Sequence, residues 1–519
     1  MSSSITVDPG CAAPSQPIRS KAKTAVTTQT AVKVFLWSLP AVAYFALVLT
    51  QPPAIHDEGL IAGGAERILR GQLPYRDFDT CYPPAEFYTI AAVFRVFGAT
   101  LLAARVWDSL WRLAILAAAV VLAGAAARTH RAHPLPLICG GILTGAIGFH
   151  MYPAISGTLP CMAALWCAVR YLQTRSRRWL FASGLLAGAG ILYRHDLALC
   201  ICAAIVATAC YQAIMDRNRR WLEMPAVFGA GVLLVVAPTV PLLWWSVPRA
   251  ALVHSFIDFP KASLAARQLP LPGPWSLVAW SDLYLPLAVI LVAVGILKRA
   301  FAAQRPIIIL LLITSTATLF LATQRLDTVH AYPAIMFALV LLSVCLADLR
   351  KETMLPALLK GAAIVCYGLL PLTALSWTPT AAGVARAGPI QIAADQVAAI
   401  EYIQRHLPPG EPLYVGLTKH SLQFFNDALF YFLADRPQAT RFDMFVPGFT
   451  STAAVQSEIA RDLSRKRVEY VVLFRAPLSR EPNLSSVDNG ITILDDAIRQ
   501  DYRQVAQFGS YTICRRTVI

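Results

Sequence analysis

Asp57 and Glu58 are adjacent carboxylates placed just after the apolar run Val34–Thr50. A carboxylate within hydrogen-bond reach of a hydroxyl can deprotonate it as a general base, and a carboxylate pair can also ligate a divalent cation. The plainer role for such a pair is to start a helix, where acids favour the dipole. Further along, Arg194-His195-Asp196, the stretch Asp258–Pro272 with Lys261 and Arg267, and Gln324–Tyr332 with Arg325, Asp327 and His330 gather the cations that an anionic group would need. Arginine matches the oxygens of a phosphate in two-point geometry. Arg194 with Asp196, and Arg325 with Asp327, also read as interfacial ion pairs. Lys261 and Arg267 also read as anchors on anionic lipid.

These residues must be positioned by a membrane-embedded frame. Of the 519 residues, 56% are hydrophobic and only 14% charged, against about 25% charged in an ordinary soluble domain. Apolar runs of about 20 residues recur, each long enough to cross a hydrocarbon core of about 30 Å as a helix. The reading is a polytopic α-helical membrane protein with about 11 transmembrane helices, placed at 32–50, 104–127, 134–151, 156–173, 179–193, 197–215, 224–245, 280–298, 306–323, 332–348 and 356–377. The net charge of +15 lies largely in short loops such as Arg175–Arg178 and Arg217–Arg220. That is the positive-inside pattern rather than a nucleic-acid footprint. It makes 1–31 a disordered cytoplasmic tail and 32–378 the transmembrane domain. The first outer loop (51–103), Arg194–Asp196, Ser246–Ala279 and Gln324–Tyr332 then share the extracytoplasmic side. The short span 179–193 is the one whose loss would invert everything after it. The spans read as largely free of charge, and most of the 11 cysteines fall inside them as small apolar residues. Cys81 and Cys514 lie outside, where a bridge is open but unsupported.

Within the first outer loop, Gly59–Arg70 has helical spacing ended by Gly71, and Ala85–Phe97 follows Pro83-Pro84. Both are expected as helices lying in the membrane interface. From about 391 the composition changes. Helices at Asp395–Arg405, Ser421–Leu433, Ala453–Lys466 and Leu494–Tyr502 alternate with strands at Pro412–Leu417, Tyr470–Phe474 and Arg503–Ile513. That pattern predicts a small C-terminal extracytoplasmic α/β domain, 391–519.

The segment His56-Asp57-Glu58-Gly59, Arg70-Gly71-Gln72-Leu73-Pro74-Tyr75-Arg76-Asp77 and Tyr82-Pro83-Pro84 resembles the first outer loop of the GT-C glycosyltransferases. The likeness is to bacterial relatives of the protein O-mannosyltransferase and aminoarabinose transferase group (glycosyltransferase family 39-like). It covers about 45 contiguous residues. The resemblance implies a GT-C-like fold in the bacterial inner membrane and a glycosyltransferase (EC 2.4.-.-). The donor is then a polyprenyl-phosphate-linked sugar, and the acceptor an extracytoplasmic glycan, lipid or protein. Asp57 falls on the family's catalytic acid, with Glu58 in support. Asp57 would deprotonate the acceptor hydroxyl for attack with inversion, while Arg194, Arg325, Lys261 and Arg267 meet the donor phosphate. His56, Asp77, Tyr82, His195, Asp196, Asp327 and His330 are then expected to contact sugar or acceptor. A divalent cation remains open as a cofactor. Relatives carry a further acid in the second outer loop, where this chain reads Tyr152-Pro153-Ala154-Ile155-Ser156-Gly157-Thr158, without one. Asp77 or Asp79 is the nearest substitute. The competing readings are a transporter or flippase for lipid-linked glycans, which would carry charges inside broken spans, and a non-catalytic assembly factor.

Overall fold

The computed structural model describes residues 39–127, 140–348 and 384–517, apart from 40–41, 142, 145–146, 149, 218–221, 298–303 and 449. The expected tail 1–31 and span 356–377 lie outside the described residues, as does much of 32–50 and 134–151. Helices run in the order α1 (Asp57–Leu69), α2 (Ala85–Phe97), α3 (Leu101–Ala126), α4 (Thr158–Thr174), α5 (Arg177–Tyr193), α6 (His195–Met215), α7 (Glu223–Val236), α8 (Phe259–Arg267), α9 (Leu285–Leu297), α10 (Arg305–Ala322) and α11 (Thr328–Asp348). Among the described residues, six helices are long and apolar enough to cross a membrane: Leu101–Ala126, Pro153–Thr174, His195–Met215, Ala279–Leu297, Arg305–Arg325 and Thr328–Leu346. Glu223–Val236 with Thr239–Ser246, bent by 42°, makes a seventh if the two are counted as one. At 17 residues α5 falls short of that length, yet it is clamped between α4 and α7. A Cβ on Gly184 would come 2.1 Å from the Phe228 carbonyl oxygen, and one on Gly231 would come 2.3 Å from that of Phe181. Small residues let these backbones touch.

The spans are not free of charge. Arg105, Asp108 and Arg112 are all buried on α3. Arg112 Nε donates to Asp108 Oδ2 at 2.7 Å, one helical turn away, and His150 Nδ1 lies 2.9 Å from the same oxygen. A buried charge persists only when paired in this way.

The C-terminal residues form α12 (Ala394–His406), β1 (Leu413–Leu417), α13 (Leu429–Ala434), α14 (Ala453–Arg465), β2 (Tyr470–Phe474), α15 (Ile493–Asp501), β3 (Tyr502–Phe508) and β4 (Tyr511–Arg516). The sheet order is β1-β2-β4-β3, with β1 and β2 parallel and the other pairs antiparallel. Two expectations need correction. The single strand expected over Arg503–Ile513 is a hairpin that turns at Gly509 (φ +50°) and Ser510. The helix expected from Ser421 starts only at Leu429, because Phe425 takes a left-handed backbone (φ 59°) and Asp427 Oδ1 accepts the Phe430 N–H to begin the helix there. Helices α1 and α2 pack against this C-terminal unit. Ile61, Ala65, Phe87 and Phe94 share one hydrophobic core with Tyr414, Phe430, Phe432 and Ile459, and Phe94 stacks on Phe432 at 5.3 Å. Thus α1 and α2 share one packed core with the α/β unit.

Candidate active site

His56, Glu58 and Gly59 fix the start of α1 in three directions. Glu58 is fully buried and takes two hydrogen bonds from Arg105 of α3, Nε to Oε2 at 2.8 Å and Nη2 to Oε1 at 2.9 Å. Arg105 Nη1 also donates to the Leu49 and Gln51 carbonyls. Glu58 is thus a bolt between the loop and the bundle, with no carboxylate face left for substrate. His56 lies against the Phe425 ring at 4.1 Å, and burial, then the Arg267 charge, lowers its pKa to about 3, so it is neutral. Gly59 brings the α/β unit close: a Cβ there would come 2.2 Å from the Leu429 nitrogen, whose N–H donates to the Ile55 carbonyl. Asp57, between these anchors, faces a cavity.

That cavity, of about 780 Å³, is lined by His56, Asp57, Asn426, Phe424, Phe425 and the segment Pro477–Glu481, among others. A second, of about 360 Å³, lies among Arg194, His195, Asp196, Phe259 and the C-terminal end of α10. Tyr82, Tyr152, Arg267, Arg325, His330 and Met444 line both and form the wall between them. Burial pushes the Asp57 carboxyl up to about 6; the Arg267 charge opposes this, Glu58 adds to it and Arg325 opposes it again.

The cations differ in how they are held. Arg194 Nε donates to Asp196 Oδ1 at 2.7 Å, and burial disfavours its charge while Asp196 holds it on. Gly157 permits this placement, since a Cβ there would come 2.7 Å from the Arg194 Cβ. Arg267 packs over the Phe424 and Phe425 rings at 4.9 and 5.0 Å. Burial, then Arg325, lowers its pKa, and its Nε, shielded from solvent, has no hydrogen-bond partner among the described residues. Arg325 makes a two-point pair with Glu481, at 2.9 and 2.5 Å, and a longer contact to Asp327 at 3.3 Å. Asp327 Oδ1 accepts the His330 backbone N–H at 3.0 Å, opening α11 as an N-cap. The same oxygen lies 2.7 Å from His330 Nδ1, and His330 Nε2 lies 3.1 Å from the Tyr152 hydroxyl.

Of the residues singled out from sequence, Asp57, His56, Tyr82, Arg194, His195, Asp196, Arg267, Arg325, Asp327 and His330 line one or both cavities. Lys261, Asp77 and Glu58 line neither. Asp77 instead accepts the Leu73 N–H at 2.7 Å and pairs with Arg76, closing a turn. Asp79, the other proposed substitute acid, lies 3.5 Å from His254. Sequence reasoning missed Glu481, Phe424, Phe425, Asn426 and the wall role of Tyr152. It also missed Arg105, though an arginine inside an apolar span is itself a signal. Cys81 and Cys514 are both free thiols. Among the described residues, no group of three or more His, Cys, Asp or Glu is arranged to hold a metal ion.

Residues 82–245 match the family model of dolichyl-phosphate-mannose-protein mannosyltransferase. The chain superposes on ArnT from Cupriavidus metallidurans bound to undecaprenyl phosphate with a TM-score of 0.59 and 14% identity, covering 94% of this chain and 98% of that one. The fold is that of the GT-C glycosyltransferases. The apo state of the same ArnT gives a TM-score of 0.60 at the same identity and coverage. No match to a curated protein was found. The family match takes in only the end of the His56–Gly98 segment, from Tyr82 onward, while the likeness in fold covers 94% of the chain.

Proposed function

We propose that this chain is a membrane glycosyltransferase that moves a sugar from a polyprenyl-phosphate donor to a hydroxyl of an extracytoplasmic acceptor, with inversion. The observation that carries the reading is the Asp57 carboxyl facing a cavity beside a wall that presents Arg267 and Arg325 to two adjoining cavities. The donor phosphate occupies the smaller cavity, within reach of Arg194, Arg267 and Arg325. As the bond from the anomeric carbon to the phosphate oxygen breaks, these fixed cations meet the charge that develops on the leaving phosphate. The acceptor enters from the larger cavity. Asp57 takes the proton of its hydroxyl while the oxygen attacks the anomeric carbon on the face opposite the phosphate. A base with a pKa near the working pH is suited to that step. The products are the glycoside, polyprenyl phosphate and a protonated Asp57. Supporting the lipid class, the ArnT of the same fold was crystallised with undecaprenyl phosphate.

The test is transfer from defined polyprenyl-phosphate sugars in membranes, wild type against Asp57→Asn. Transfer by wild type and its loss in the variant are expected; equal transfer by both removes Asp57 as the base. A flippase or assembly factor would show no transfer with any donor.

A further inference from the structure

Glu481 comes from the α/β unit, far in sequence from the residues it meets. Both its carboxylate oxygens are engaged by Arg325, Nη1 to Oε2 at 2.9 Å and Nη2 to Oε1 at 2.5 Å. This is the two-point geometry in which a guanidinium takes a phosphate. Arg325 Nη1 also donates to the Arg267 backbone carbonyl at 2.9 Å, and the Arg267 charge acts on the same carboxylate. Burial works against its charge, but the hydrogen bonds from Arg325 and Asn483 hold it at about 2, fully ionised.

The segment that carries Glu481 is hydrogen-bonded mainly to itself. Most of its side-chain hydrogen bonds stay inside it: Ser479 to Ser485 at 2.9 Å, Asn483 Nδ2 to Glu481 Oε2 at 3.0 Å, and Ser485 Oγ to Asn483 Oδ1 at 2.6 Å. Its ends are tied to the unit, through Gln423 to the Ala476 carbonyl on one side and Asn489 to Ser451 on the other. Between those ties, the described hydrogen bonds to the membrane half are the Arg325 pair and a long 3.4 Å bond from Asn483 to the Gln268 carbonyl. Leu478, Leu484 and Val487 are exposed along it, so little apolar burial opposes its release. Pro477–Glu481 also line the larger cavity.

We propose that Glu481 is a displaceable counter-ion of the donor site: from the larger cavity its carboxylate engages the Arg325 guanidinium that the donor phosphate takes up from the smaller one, and the 477–487 strap swings away when the phosphate binds. The inference rests on the donor reading given above. The strap then couples donor entry to opening of the acceptor cavity, because the same residues wall that cavity. It also favours a head group that engages arginine more strongly than a single carboxylate does.

The test uses the full-length protein in detergent or nanodiscs. Binding of undecaprenyl phosphate is measured for wild type, Glu481→Gln and Glu481→Ala, and backbone hydrogen exchange over 477–487 is followed in wild type with and without the lipid. Both variants should bind undecaprenyl phosphate more tightly, by about tenfold, the scale of one lost charge-assisted pair. Strap exchange in wild type should rise when the lipid is added. Using two variants guards against one that folds poorly. If wild type binds but neither variant binds more tightly, or strap exchange does not rise, the counter-ion role is overturned while the donor reading stands. If no form binds the lipid, both are overturned.

Discussion

The two cavities share a wall and differ in where the rest of their lining comes from. The smaller one is built mainly from the ends of apolar helices and the loops joining them, and its charged and imidazole groups are Arg194, His195, Asp196, Arg267, Arg325 and His330. The larger one is closed by the α/β unit, with Phe424, Phe425, Asn426, Phe474 and the Pro477–Glu481 strap opposite Asp57. The first takes its character from charge at a membrane boundary, where an ionisable group is conspicuous. The second takes it from residues that are ordinary in sequence and become a site only because the α/β unit packs on α1 and α2. In the proposed reaction, donor chemistry belongs to the first and acceptor chemistry to the second, and the division can be tested from either side.

The largest effect should come from Asp57→Asn, which lies in the larger cavity only. Transfer should fall by about 10²- to 10⁴-fold, the range for loss of a general base. Undecaprenyl phosphate binding, measured separately, should be little changed. If both fall together, the two cavities are one functional unit. Next is the bolt beneath them. Glu58→Ala leaves Arg105 buried without its carboxylate partner, a change that costs about 3–5 kcal/mol. It should appear as a large loss of melting temperature or of folded protein, whereas Glu58→Gln, which keeps the shape, should lose less. Stability of Glu58→Ala equal to wild type would contradict the bolt.

Arg194→Gln should weaken donor binding by about 10- to 100-fold, as expected for a charge-assisted bond to phosphate, and leave the acceptor KM near its wild-type value. The smallest effect is the pH signature of Asp57. Transfer should rise as the pH climbs through about 6 and level off above it, because the base must be ionised. Stability should move the other way. Asp57 binds its proton more tightly folded, at about 6, than unfolded, at the ordinary value of 3.8, so its contribution is present below 3.8 and lost as pH rises to about 6. Asp57→Asn should therefore raise the melting temperature at pH 7.5 relative to wild type more than it does at pH 3.5. A flat difference across that range would mean that Asp57 is not buried as described.

Legibility followed the same division. Most of the expected spans within the described residues fall on helices, with 224–245 split into two bent by 42°, since a run of about 20 apolar residues has few ways to satisfy its backbone in lipid except as a helix. Gly71 was readable as a helix end, and it closes α1 with the Gln72 N–H on the Arg67 carbonyl. The Tyr502–Arg516 hairpin was read as one strand because the signal for its turn is a lone Gly509-Ser510 between two similar runs. Asp57 and Glu58 were alike in sequence. Their separation into a cavity-facing acid and a buried bolt depends on Arg105, which lies 47 residues from Glu58 along the chain.

Sequence alone determined that this is a helical membrane chain, that its arginines gather at span ends, and that an acid pair follows the first apolar run. Those features follow from local rules of hydrophobic length and charge placement. Tertiary structure decided which acid faces the cavity, which arginine is already occupied, and that Glu481 and the Phe424-Phe425 pair belong to the site at all. These outcomes depend on which distant surfaces are brought into contact, and pairing across hundreds of residues leaves no periodic trace in the chain.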